Sequence, residues 1–122
     1  MLEADALRAL RRYREAADAY DRAAAGLSDS QASQAGYLAA SVRSRHLGDA
    51  TGALSSLDRS GADRPGSPLA ERALALRARI LNQEGRTAEA RDVASDYLRR
   101  FPGGGMAEWM RALGDSGSSE EP

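Results

Sequence analysis

The sequence predicts an all-α chain built from repeated helix pairs, and three observations lead there. Helix formers dominate while β-branched residues are scarce: two Val, one Ile and two Thr in 122 residues. Turn-forming residues gather in short clusters, "GLSDS" (26–30), "LGDATG" (47–52), "SGADRPGSP" (60–68), "EGRT" (84–87) and "FPGGG" (101–105), with stretches of helical length between them. Ala16, Ala53 and Ala90 stand 37 residues apart, and so do Gly48 and Gly85, and Pro65 and Pro102. Three kinds of marker on one period define an internal repeat.

Each element follows from its punctuation. Helices are expected near 2–10, 13–26, 30–47, 50–60, 68–84, 87–100 and 105–113. Ser28 with Gln31 fits a capping box ahead of the third. Asp49 and Thr87 stand where short turns hand over to the fourth and sixth. Ser67 followed by Pro68 reads as an N-cap with proline at the first helical position of the fifth. Met106, Trp109, Met110 and Leu113 share one face of the last helix, which is expected to cap the end of the domain. Residues 115–122, Gly/Ser-rich and acidic, are expected to be a disordered tail. The domain is thus expected over 1–114, with repeats at about 1–28, 30–65 and 67–102 and a capping helix at 105–113.

The composition narrows the function classes. A formal net charge of -1 argues against a nucleic-acid binder. All 17 basic residues are Arg, a usage that with abundant Ala points to a GC-rich bacterial genome. The absence of Cys excludes disulfides, thiolate metal sites and a Cys nucleophile. No apolar run approaches the roughly 18 residues of a membrane span, and the acidic, amphipathic "MLEADALRAL" is not a signal peptide. Direct membrane insertion is not expected.

The repeat resembles the tetratricopeptide repeat, which pairs two antiparallel helices, A and B, in about 34 residues. Leu74, Ala78, Leu81, Gly85, Ala90, Ala94 and Pro102 fall on that pattern in the third copy. Tyr37, Ser41, Ser44, Gly48, Ala53, Leu57 and Pro65 do so in the second, and Ala4, Leu7, Ala16, Tyr20 and Ala23 in the first. Departures are Arg77 for the usual Leu, Ala94 for a large residue and Arg11 for the turn Gly. The longer linkers are similar to those of cell-envelope members of the family and of anti-sigma-type regulators, so an envelope location is slightly favoured. The resemblance implies an αα-hairpin solenoid of about three repeats with a capping helix.

The resemblance also implies where a partner would bind. In this family helix A lines the concave face, which here carries Arg8, Leu38, Val42, Arg45, His46, Arg72, Ala75, Arg79, Asn82 and Gln83. Among these, Arg8, Arg45, His46, Arg72, Arg79, Asn82 and Gln83 are the candidate partner-binding residues. They are basic or amide-bearing and suit an acidic peptide through charge-assisted hydrogen bonds. The carboxylate clamp of some members does not carry over, because Ala39 and Leu76 occupy its polar positions.

No catalytic, cofactor or metal residues are expected. "GDSG" at 114–117 resembles the surroundings of a protease serine, but no base or oxyanion donors accompany it. His46 is the only His, and one acidic helical neighbour, Asp49, does not make a metal site. "GGG" at 103–105 has neither a leading strand nor a following Lys and reads as a turn, not a phosphate loop. The first copy begins inside helix A, with Leu2, Leu7 and Leu10 near the start. The expectation is therefore a non-catalytic protein-interaction domain, the C-terminal part of a larger bacterial protein. The alternatives are a homotypic module that self-associates through its N-terminal edge and, behind both, an accessory domain of an enzyme.

Overall fold

A computed structural model describes residues 1–26 and 29–119, with side chains over 1–26 and 31–114. Among the described residues the chain is all-helical, with no strand. The helices are α1 (Leu2–Ala9), α2 (Tyr13–Gly26), α3 (Asp29–His46), α4 (Ala50–Ser60), α5 (Ala70–Gln83), α6 (Thr87–Arg100) and α7 (Ala107–Ser119).

Chain contacts divide the helices into two compact units, Met1–Ala73 and a second beginning at Leu74. In the first unit α1, α2 and α3 close on Ala4, Ala17, Ala19, Tyr20, Ala39 and Val42, and α4 packs along α3. Alanines at these positions let helix axes approach closely, and Tyr20, fully buried, supplies volume. Gly36 in α3 serves the same end: a Cβ there would lie 2.0 Å from the Ser60 hydroxyl of α4. In the second unit Leu74, Ala75, Ala78, Ala94, Tyr97, Ala107 and Met110 form the core. Trp109, Met106 and Leu113 pack against it, so the apolar face of α7 is engaged. Ala94 and Tyr97, one turn apart on α6, are both buried in this core.

The local chemistry repeats with the sequence. Arg11, Gly48 and Gly85 all adopt a left-handed backbone, with φ of 61°, 61° and 75°. Ala16, Ala53 and Ala90, each 0% exposed, donate backbone N–H bonds to the carbonyls of Arg12, Asp49 and Arg86. The N–H groups of Arg12 and Arg86 return to the carbonyls of Leu7 and Leu81, both at 2.9 Å, satisfying orphan carbonyls as helix-ending turns do. The left-handed residue therefore recurs three times on the 37-residue period, while at the middle turn the Asp49 N–H reaches one residue further back, to the Arg43 carbonyl at 2.9 Å. At the first turn Arg11 adopts without glycine what glycine adopts at the other two.

The caps differ in detail from expectation. Asp49 accepts from the Gly52 N–H at 2.9 Å, as an N-cap does. The Ser67 hydroxyl accepts from Leu69 N–H at 3.2 Å, but regular helix begins at Ala70, after a tighter turn closed by the Ala70 N–H on the Ser67 carbonyl. Thr87 is the first residue of α6 and not its cap. Ser28 of the expected capping box lies outside the described residues.

The C-terminus is a correction. Helix continues through Ser119, six residues past the expected end at 113. No proline interrupts that stretch, and every residue in it can donate to the helical ladder. Residues 120–122 of the expected tail lie outside the described residues.

Candidate partner-binding surface

The predicted surface residues take distinct environments. Arg8 is exposed on α1, its guanidinium 5.9 Å from the Tyr20 ring centroid and 4.0 Å from the Asp5 carboxylate. Arg45 is exposed in the last turn of α3. His46 ends α3 and lies flat on the Tyr13 ring, with centroids 3.9 Å apart and planes 3° from parallel. Stacking holds an exposed imidazole in one orientation against α2.

Arg72, Arg79, Asn82 and Gln83 all lie on α5, at offsets that set them along one stripe of that helix. Arg72, Asn82 and Gln83 are exposed and Arg79 partly so. Two residues expected beside them are not surface: Val42 is core in the first unit and Ala75 in the second. Val42 follows Leu38 and Ala39 by one turn, so it shares the face that packs on α1 and α2. Leu38 is partly buried against the same cluster.

The ionic partners separate these arginines from others. Arg22 pairs with Glu3 at 3.0 Å, Arg12 with Glu15 at 2.5 Å and Arg100 with Asp96 at 3.2 Å, and Arg86 pairs with Glu89 and Arg99 with Asp96. Arg45, Arg72 and Arg79 form no ion pair among the described residues. Helices α3 and α5 thus carry guanidinium groups with open hydrogen-bonding capacity.

A polar hub was not foreseen. Arg43 of α3 reaches Asp21 at 2.6 Å, Asp18 at 2.9 Å and Asp49 at 3.6 Å. Asp21 also accepts from the Ser56 hydroxyl at 2.9 Å and meets Arg59 at 3.5 Å. The hub ties α2, α3 and α4 together. Burial works against the Arg43 charge, but the hydrogen bonds to Asp21 and Asp18 outweigh it and hold the guanidinium protonated. The one available signal was a charged residue amid Ala39, Ala40 and Val42.

Tyr20 anchors α1 to α2 by donating its hydroxyl to Asp5. Burial, reinforced by that bond, pushes the phenol up to about 12. The Tyr97 hydroxyl accepts from the Met106 N–H at 3.1 Å and fixes the "FPGGG" turn ahead of α7.

Among the described residues, no group of three or more His, Cys, Asp or Glu is placed to hold a metal ion. Among them, too, no helix is long and apolar enough to cross a membrane. In comparisons with known proteins, no family model, no curated protein and no solved structure matches the chain.

Proposed function

We propose that the chain is a non-catalytic helical-repeat module that binds an acidic segment of a protein partner on its A helices. The observation that carries this is the set of unpaired guanidinium groups at Arg45, Arg72 and Arg79, while many other arginines are paired. His46, fixed on Tyr13, and the amides of Asn82 and Gln83 add oriented hydrogen-bonding groups. The tetratricopeptide-like reading is part of the proposal. It is supported by the left-handed turns at 11, 48 and 85 and the buried alanines at 16, 53 and 90. An envelope or regulatory setting rests on the resemblance of the linkers.

Fluorescence anisotropy with a labelled Asp/Glu-rich peptide tests the proposal. Saturable binding should weaken with salt. It should fall about tenfold or more in the Arg45→Glu/Arg72→Glu/Arg79→Glu variant, with the circular dichroism of the fold unchanged. Equal binding by that variant, or no saturable binding to acidic peptides, refutes it.

One observation favours self-association as a second reading. Leu2 of α1 is 88% exposed, and Leu10, which follows the end of α1, is 68% exposed. Sedimentation equilibrium should show a dimer that Leu2→Glu/Leu10→Glu dissolves. A monomer throughout the micromolar range removes this reading.

A further inference from the structure

The second unit holds a cleft that the proposed function does not use. On α6, Arg91, Ala94, Ser95 and Leu98 follow the i, i+3, i+4, i+7 spacing of one helical stripe. Met110, Arg111 and Gly114 of α7 face them across a cleft of about 350 Å³. Ala94 and Met110, both buried in the core, give it an apolar floor. The volume falls in the range of small-ligand sites.

The charged side of the cleft is unsatisfied. The Arg91 Nε–H is buried and has no hydrogen-bond acceptor. Arg91 forms no ion pair among the described residues. Arg111 spends one terminal nitrogen on the Pro102 carbonyl at 2.9 Å and keeps further donors. The Arg91 Nε–H has no surface open to a ligand, so the donors Arg91 can offer one are its terminal nitrogens. The Arg43 Nε–H is also buried and unbonded, but the rest of that guanidinium is neutralised by Asp18 and Asp21. Arg91 has no such compensation.

Two guanidinium groups over an apolar floor define the ligand by its chemistry. The acceptor must be anionic and planar enough for the guanidinium fork, and its neighbouring atoms must be apolar. We infer that the α6–α7 cleft binds a small monocarboxylate carrying a short apolar chain or ring, its carboxylate on Arg91 and Arg111 and its apolar part over Ala94, Leu98 and Met110. Gly114 leaves room for that part, since a Cβ built there meets nothing within 4 Å. This site is independent of the A-helix surface.

Titration of the full chain with hexanoate, followed in nitrogen–proton correlation spectra, reads the site directly, because the Arg91 Nε–H gives its own signal. The expected result is a saturable shift of that signal together with the amides of Ser95, Leu98 and Met110. Hexanamide, which lacks the charge, and acetate, which lacks the chain, should each bind about tenfold more weakly or worse. Arg91→Gln should abolish the shift, and Arg91→Lys, which keeps the charge but loses the fork, should weaken it. Gly114→Leu, which fills the open space without touching either arginine, should block binding in a folded protein. An Arg91 Nε–H signal unmoved by hexanoate overturns the inference, as does acetate binding equal to hexanoate or full binding by Gly114→Leu.

Discussion

Replacing Gly36 by Ala should destabilise the first unit, although alanine is the better helix former. A Cβ at Gly36 would stand 2.0 Å from Ser60 Oγ, 2.1 Å from Ser60 Cβ and 3.2 Å from the Ser56 carbonyl oxygen. The hydroxyl can rotate away. The Ser60 Cβ cannot, because it is bonded to the backbone of α4, so the end of that helix must shift from α3. Overpacking of this kind costs about 1–3 kcal/mol, and a clash against backbone-fixed atoms belongs in the upper half. Gain of helix propensity returns up to about 1 kcal/mol. The net expectation is a loss of about 1–2 kcal/mol, read as a lower urea midpoint with an unchanged slope. Ser60→Gly removes the atoms that are struck. The Gly36→Ala/Ser60→Gly double variant should therefore recover most of the loss, with a coupling of about 1 kcal/mol or more in the cycle. Gly114→Ala is the control: it lies inside α7 with nothing within 4 Å of its added carbon, and it should not destabilise. A Gly36→Ala protein as stable as the parent, or the absence of coupling with Ser60, would show that α3 and α4 do not approach as described.

Other outcomes follow from the turns, the hub and the buried phenol. Arg11→Gly should stabilise by about 0.5–1 kcal/mol, and Gly48→Ala or Gly85→Ala should destabilise by about 1–2 kcal/mol through left-handed strain alone, since an added carbon at either glycine meets nothing; thermal melts of the three variants check this. Asp21→Ala should cost about 1–3 kcal/mol in urea unfolding, between an exposed and a fully buried pair, because Asp21 and Arg43 retain 15% and 13% exposure. Glu15→Ala, which breaks an exposed pair, should cost no more than about 0.5 kcal/mol. Tyr20, pushed up to about 12 by burial and its bond to Asp5, is neutral in the fold where the unfolded phenol ionises near 10. Its contribution is complete below that unfolded value and is lost as pH rises through about 12. Stability measured across that window should fall with pH in the parent and more weakly in Tyr20→Phe.

The helices and their turns were legible because each rests on local chemistry. Ala16, Ala53 and Ala90, read as one repeated position, are all buried, and Gly48 and Gly85, read as turns, are both left-handed. Arg11, read as a departure from the turn glycine, adopts the same conformation, because the surrounding hydrogen bonds set the backbone whatever residue stands there. The extension of α7 escaped because Gly and Ser composition suggests a break, whereas a helix already packed through Met110 can carry poor formers at its end. The candidate surface was legible in residue type but not in exposure. Val42 and Ala75 lie one turn from exposed neighbours, and small shifts in helix facing decide which side is buried. The Arg43–Asp21 hub and the Arg91 cleft were invisible because their groups lie on different helices or depend on what fails to reach a guanidinium.

The central claim is that partner binding belongs to the A helices, and a chemical-shift footprint of the labelled protein with an Asp/Glu-rich peptide tests it most directly. The account predicts that the perturbed signals belong to α1, α3 and α5, with Arg45, His46, Arg72, Arg79, Asn82 and Gln83 among them. A footprint confined to α2, α4 and α6 would contradict it.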